Sequence, residues 1–126
     1  MEITPREISE DVLMFCKSVN DEEVPRYIVV EPFQNCKENY CYENVETVIA
    51  ENGGAAENGW VIWKRDNMYL EAEAHAVWVT VEGNWVDVTP HTPTEEQIVF
   101  LPDKSVTNDG SRTPSKFFQG GVRIMV

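Results

Sequence analysis

Hydrophobic side chains recur at two different spacings along the chain, and the change of spacing separates helical from extended segments. Near the N-terminus, four apolar residues follow one another at helical intervals: Ile8, Val12, Phe15 and Val19. The preceding segment Thr4-Pro5-Arg6-Glu7 has the features of a helix start, because threonine can cap, proline suits the first turn and glutamate completes a capping box. The pattern predicts a first helix that begins at this segment.

A second helical stretch is predicted from about Cys41 to Glu51, since its apolar residues form one stripe and Gly53 follows its end. Short segments rich in β-branched and aromatic residues, or with alternating polarity, predict strands. These segments are 27–30, 60–63, 69–82, 85–89, 98–101 and 121–126, and the polar segment 103–115 is expected to be a surface loop. Gly83-Asn84 is a turn signal between two of the strands.

The order of these elements predicts a fold class. Helix, short strand and helix are followed by what the pattern suggests is an antiparallel meander. This order favours an α+β fold, with two helices packed on one face of an antiparallel β-sheet of about five strands. The chain has no repeat or linker composition, so residues 1–126 are expected to form a single domain.

Charge and composition restrict the classes of partner. The formal net charge is −12, from 10 basic and 22 acidic residues. Such a surface disfavours binding to nucleic acid and to anionic membranes, because both need lysine and arginine. No apolar run is long enough for a membrane span, and the N-terminal segment lacks the features of a secretory signal. Three cysteines suggest free thiols, so a cytoplasmic protein is expected; the oligomeric state stays open.

Among the three cysteines, Cys41 is the best candidate for a nucleophile. It stands where the second helix should begin, and a helix N-terminus favours a thiolate. Cys36 lies in the preceding loop without that advantage, and Cys16 falls inside the first helix, where a small buried hydrophobe is expected. For Cys41, too, the alternative interpretation is a small buried hydrophobic residue with a structural role.

A base and an orienting acid have to come from later in the chain. His75 lies in the longest predicted strand, whereas His91 lies in a turn segment, and a base on a rigid strand holds its geometry better. Asp87 lies on the strand that should pair with that of His75, and an aspartate among apolar residues needs a partner. Simple hairpin register does not place the two directly opposite, so their contact needs a bulge or a diagonal approach.

Two short blocks carry a family resemblance. His75-Ala76-Val77-Trp78-Val79, followed by 83–90 (Gly-Asn-Trp-Val-Asp-Val-Thr-Pro), resembles the His and Asp blocks of transglutaminase-like proteins. In that pattern the acid falls at Thr89, whereas the spacing from His75 to Asp87 is similar to that of NlpC-type peptidases. The order Gln34, Cys41, His75 is similar to papain. The resemblance implies a papain-like fold and a Cys41–His75–Asp87 triad.

These residues predict a cysteine-dependent hydrolase or acyltransferase of the peptidase, amidase or transglutaminase-like kind. Its substrate would be a peptide, a protein or a small amide, and the chemistry needs no cofactor. Gln34 is the candidate oxyanion donor, beside backbone N–H groups. Trp60 and Trp78 are candidate substrate-binding residues, although tryptophans are equally expected in a core.

Alternatives remain open beside the enzyme. The same fold could be a catalytically inactive binding or regulatory module. A zinc site of Cys36, Cys41, His75 and His91 is less favoured, because the spacing of the histidines fits no common zinc finger. Glu71 and Glu73 share a strand face with His75. A solvated face is the preferred interpretation for Glu71, and a cleft face would favour a cationic substrate.

Overall fold

A computed structural model describes residues 2–65 and 69–107 and a short strand at 117–118. In these ranges the chain forms two helices, α1 (Glu10–Val19) and α2 (Cys41–Asn52), and seven strands. The strands are β1 (Glu2–Ile3), β2 (Arg26–Val30), β3 (Ala55–Arg65), β4 (Tyr69–Val79), β5 (Trp85–Asp87), β6 (Gln97–Pro102) and β7 (Phe117–Phe118).

The strands form one sheet that closes on itself. Their order is β1-β3-β6-β2-β5-β4-β7, and an additional pairing of β3 with β4 closes the middle five into a barrel. β3 and β4 pair over their whole length, from Ala55 opposite Val79 to Arg65 opposite Tyr69. β2 and β5 run parallel, and the other pairs are antiparallel.

The predicted papain-like α+β fold, with helices on one face of an antiparallel sheet, is therefore wrong. The sheet is a closed five-stranded barrel with two short helices outside it. The prediction assumed that strands adjacent in sequence are adjacent in the sheet. Instead, β6 lies between β3 and β2, and β2 pairs in parallel with β5. These are non-local pairings that a meander does not contain.

The core consists of three clusters, one inside the barrel and one beneath each helix. Alternate residues of β3 and β4 point to opposite sides, so each strand contributes apolar residues both to the interior cluster and to a cluster outside the barrel. The interior cluster contains Ile28, Val61, Trp63, Val77, Ile98 and Phe100. The α1 cluster contains Val12, Phe15, Cys16, Ile62, Leu70, Ala72, Val99 and Leu101. The α2 cluster contains Cys41, Tyr42, Val45, Val48, Ala76, Trp78, Val86 and Val88.

The two predicted helices are present, but only the second begins where expected. α2 begins at Cys41 and continues one residue past the predicted end. α1 begins at Glu10, with Ser9 as its cap, and not at the capping-box segment. Thr4 instead lies against β6, where its hydroxyl donates to the carbonyl oxygen of Gln97 at 2.9 Å. The strand predicted at 121–126 and the end of the loop 103–115 lie outside the described residues.

Neither of the helices described in the structure is long and apolar enough to cross a lipid bilayer.

Carboxylates gather where β1 meets the end of β3. Glu71 is buried, so the preferred solvated interpretation for it is wrong. Nη1 of Arg65 lies 3.3 Å from Oε1 of Glu71 and 3.3 Å from Oε1 of Glu2. Burial raises the pKa of Glu2 to about 7, and its hydrogen bond and charge repulsion with Glu71 act in the same direction, while Arg65 opposes them. Glu2 therefore holds its proton more tightly in the folded chain.

Replacing Glu2 with glutamine should flatten the pH dependence of stability near neutrality. The pKa of Glu2 rises from 4.5 to about 7 on folding. Protonated Glu2 therefore contributes its full stabilisation of the fold at pH values below the pKa of this side chain in the unfolded chain. This contribution is lost as the pH rises through the pKa of Glu2 in the folded protein. Urea unfolding at about pH 5 and about pH 8 measures the difference. The wild-type protein should lose more stability between the two than E2Q, and an equal loss would contradict the shift.

Candidate functional site

Three different elements bring Cys41, His75 and Asp87 together. Cys41 is the first residue of α2, His75 lies within β4, and Asp87 is the last residue of β5. Their exposed fractions are 0%, 2% and 0%, respectively. The three predicted site residues therefore form one buried polar group.

His75 and Asp87 meet diagonally across the β4–β5 pair. Trp78 pairs with Val86, so Asp87 is opposite Val77 one step further on, and His75 is the diagonal neighbour. Nε2 of His75 lies 3.0 Å from Oδ1 of Asp87. The contact thus uses the diagonal approach that the sequence required, without a bulge.

The Cys41 thiol reaches the same imidazole from outside the sheet. β5 ends at Asp87, so no β5 residue pairs with β4 at His75, and the first turn of α2 contacts the ring there. Burial opposes charging of His75, but the Asp87 carboxylate, the Cys41 sulfur and its hydrogen bonds to both raise the pKa of His75 well above 6.5. A proton on the ring is therefore stabilised from both sides.

The carboxylate of Asp87 fixes the tautomers around it. Burial opposes its ionisation, but the charge and hydrogen bond of His75, followed by those of His91, lower the pKa of Asp87 to about 2. An ionised carboxylate only accepts hydrogen bonds, so each histidine donates its Nε2–H to it. In His75 this leaves Nδ1 as the nitrogen that can take a proton from Cys41.

A second histidine, His91, also contacts Asp87, whereas the sequence favoured His75 as the base and gave His91 no catalytic role. Its Nε2 lies 2.6 Å from Oδ2 of Asp87, so the carboxylate lies between two imidazoles. The ring packs edge-on against Trp63, with centroids 5.2 Å apart, and lies 5.5 Å from the ring of His75. His91 was set aside because it lacks strand support, yet packing on Trp63 fixes it. Its position four residues after Asp87 was the available signal.

Asn44 connects the site to the loop before α2. Asn44 is buried in the first turn of α2. Its Nδ2 donates to Oγ1 of Thr89 at 3.0 Å and to the carbonyl oxygen of Lys37 at 2.8 Å, and its Oδ1 accepts from the Lys37 N–H at 3.0 Å. The N–H of Thr89 donates to Oδ1 of Asp87 at 3.2 Å. Thr89, the alternative acid position, therefore supports Asp87.

The three other predicted site residues lie in different surroundings. The Gln34 side chain is exposed in the loop before α2. Trp60 packs against the α1 cluster and donates to Asp103 at 2.9 Å, so it does not share a cluster with Cys41. Trp78 packs in the α2 cluster with Cys41, and its Nε1 donates to the carbonyl oxygen of Gly53. Of these residues, the structure groups only Trp78 with the thiol.

A loop covers the thiol. Phe33 and Cys36 pack against the α2 cluster, and the ring of Phe33 lies edge-on to Trp78 with centroids 5.3 Å apart. On the opposite side of Asp87, His91 lines a cavity of about 450 Å³. Cys41 is fully buried, so a substrate can reach it only if residues that cover it move, and Phe33 and Cys36 of the loop 31–40 are among them.

His75, Asp87 and His91 could also hold a metal ion. One donor atom from each lies within 4.8 Å of the others, which is the spacing of a metal-ligand set. Within the described ranges, the cysteine-containing set of Cys36, Cys41, His75 and His91 does not come together in this way. The four-residue zinc site that the sequence suggested is therefore not assembled among the described residues.

Comparisons of the chain with known protein families, with curated proteins and with solved structures gave no match.

Proposed function

We propose that this protein is a cysteine-dependent hydrolase or acyltransferase that acts on an amide or related acyl bond. The observation that supports it is the buried hydrogen-bonded chain from the Cys41 thiol through His75 to Asp87. Nucleophile, base and orienting acid follow one another in the order that thiol catalysis requires. This chemistry is that of the transglutaminase-like and papain-like enzymes that the sequence resembles.

The reaction follows from the proton positions. Cys41 gives its proton to Nδ1 of His75, and the sulfur attacks the carbonyl carbon of the substrate to form a tetrahedral intermediate. His75 then returns the proton to the leaving group, and water or a second nucleophile cleaves the thioester. Asp87 keeps Nε2 protonated and the ring oriented.

Backbone groups at the start of α2 are the main candidates for stabilising the oxyanion. Tyr40 caps α2 without a side-chain hydrogen bond, and the first N–H groups of a helix have no acceptor within it. The exposed amide of Gln34 is the second candidate donor. A peptide, protein or small amide is the proposed substrate, and the three free cysteines favour the cytoplasm as its compartment.

The test is the alkylation rate of Cys41 by iodoacetamide at neutral pH, followed peptide by peptide. His75→Gln should slow it roughly tenfold, because an unassisted thiol is only about 3% thiolate at pH 7, and the lower nucleophilicity of a stabilised thiolate offsets part of that difference. Glutamine is close in size to histidine, and covering of the sulfur by the loop slows both proteins alike. The ratio of the two rates therefore isolates the contribution of the base.

Two thiols of the same chain serve as internal references. Burial raises the pKa of Cys16 to about 12, and burial and the charge of Asp87 raise that of Cys36. Both should react slowly, and equally in the two proteins. Equal Cys41 rates in wild type and H75Q would reject the proposal. They would favour the second candidate, an inactive binding or regulatory module, which the complete burial of Cys41 supports.

A further inference from the structure

We infer that His75, Asp87 and His91 form a binding site for a divalent first-row transition metal such as Zn²⁺, and that the bound ion switches off the base function of His75. The metal site itself is independent of the proposed enzyme. Only the consequence for Cys41 depends on that proposal.

The donor set and its spacing suit zinc. Two imidazoles and one carboxylate are among the common ligand sets of zinc sites that keep a further position open. With metal–ligand bonds of about 2.0–2.2 Å, neighbouring donor atoms in a tetrahedral site are about 3.3 Å apart. The two imidazole nitrogens already lie 3.0 Å and 2.6 Å from the carboxylate oxygens of Asp87. All three donor atoms lie within 4.8 Å of one another.

The surroundings of the three donors favour a cation. Asp87 is fully buried, and its two carboxylate oxygens face the Nε2 atoms of His75 and His91. The N–H of Thr89 holds Oδ1 of Asp87, and Trp63 holds the ring of His91, so the donors are oriented by a second layer of contacts. An ion that binds the two Nε2 atoms replaces their protons, so the buried carboxylate loses both Nε2–H hydrogen bonds. The charge of a divalent ion compensates for that loss.

An entry path reaches the site from the side opposite Cys41. His91 lines the cavity of about 450 Å³, together with three carboxylate residues: Glu31, Glu95 and Glu96. Carboxylates around a cavity raise the local concentration of cations. An ion in this cavity can thus reach His91, whose ring contacts the Asp87 carboxylate.

Metal binding changes the tautomer of His75. Without metal, the Nε2–H donates to Asp87, so Nδ1 can take the proton of Cys41 and the ring becomes an imidazolium. A metal on Nε2 leaves neutral imidazole with its proton on Nδ1, so the ring then donates towards the sulfur and cannot take its proton. The ion would therefore suppress the reactivity of Cys41 without contacting it.

The experiment titrates Zn²⁺ into the full chain by calorimetry and repeats the titration with Co²⁺ by absorption spectroscopy. We expect one ion per chain, the same binding in Cys41→Ser, and no thiolate-to-cobalt charge-transfer band. His91→Phe keeps an aromatic ring against Trp63 but removes one donor, so it should abolish stoichiometric binding. Weak binding to the acidic surface would persist in H91F and is thereby separated from the site.

No stoichiometric binding, unchanged binding in H91F, or a charge-transfer band that vanishes in C41S would each overturn the site. One equivalent of Zn²⁺ should slow Cys41 alkylation about tenfold, to the rate of the metal-free H75Q variant, because both remove the same proton acceptor. The metal-free comparison of wild type with H75Q tests the enzyme separately, since it contains no zinc.

Discussion

Replacing Asp87 with alanine should lower the free energy of unfolding by about 3–5 kcal/mol, the usual cost of removing one partner of a buried ion pair. The carboxylate has an exposed fraction of 0% and accepts three hydrogen bonds. They come from His75 at 3.0 Å, His91 at 2.6 Å and the N–H of Thr89 at 3.2 Å. Alanine removes the acceptor of all three donors, of which the His75 ring and the Thr89 N–H are buried, and each buried orphaned donor has its own desolvation cost. Urea unfolding measures the loss.

Two variants serve as controls for this result. Asp103 also accepts side-chain hydrogen bonds, from Trp60 and Ser105, but lies partly exposed, so Asp103→Ala should cost only about 1 kcal/mol. Asp87→Asn keeps the shape and one acceptor oxygen and should fall between the two alanine variants. A loss in D87A no larger than that in D103A would show that the histidines find water or other partners when the carboxylate is absent.

The local elements were largely predictable because their signals are local. α2 begins at Cys41, as its apolar stripe indicates, and the glycine after it supplies a positive φ of 77° at Gly53. The turn at Gly83 lies between β4 and β5, and Gly83 also has a positive φ, 90°. For α1 the capping-box signal was misleading, because Ser9 caps the helix and Thr4 is recruited by β6.

Closure of the barrel was not predictable, because it depends on pairings between distant segments. Neither the place of β6 between β3 and β2 nor the parallel β2–β5 pair leaves a local pattern. One signal was present in the run Trp60-Val61-Ile62-Trp63, where consecutive apolar residues indicate a strand buried on both faces. In the structure Val61 faces the interior, and Ile62 faces α1.

The residues of the candidate site also divide into those that local sequence patterns predicted and those that depend on contacts between distant segments. The proximity of Cys41, His75 and Asp87 was expected, because a helix start, a long strand and its hairpin partner constrain these positions; their catalytic role stays a prediction. The contacts of His91 with Asp87 and of Asn44 with Thr89 were not predicted. Both are held by side chains remote from their own segment, Trp63 and Thr89, so only the tertiary structure defines them.

Replacing Gly59 with alanine should destabilise the protein by about 2–3 kcal/mol, the cost of overpacking a site that cannot relax. A methyl group at this position would lie well inside van der Waals contact with the carbonyl oxygen of Leu101 and 2.8 Å from Cζ of Phe100. The first obstacle is backbone of the paired strand β6, so relief requires β3 and β6 to separate. Gly59 is also the register partner of His75 on β4, so the strain arises beside the candidate site.

Gly83→Ala separates this steric effect from the conformational cost of losing a glycine. Gly83 has a φ of 90°, but an added methyl group would have no atom within 4 Å, so only backbone strain of about 1–2 kcal/mol applies. At Gly59 the reverse holds, since the clash and not a positive φ determines the cost. Urea unfolding should therefore show the larger loss in G59A, and iodoacetamide should alkylate Cys41 faster in that variant than in G83A. Equal losses of stability in the two variants would mean that β6 moves away from β3 at little cost in free energy. The closed barrel would then tolerate weaker β3–β6 pairing beside His75.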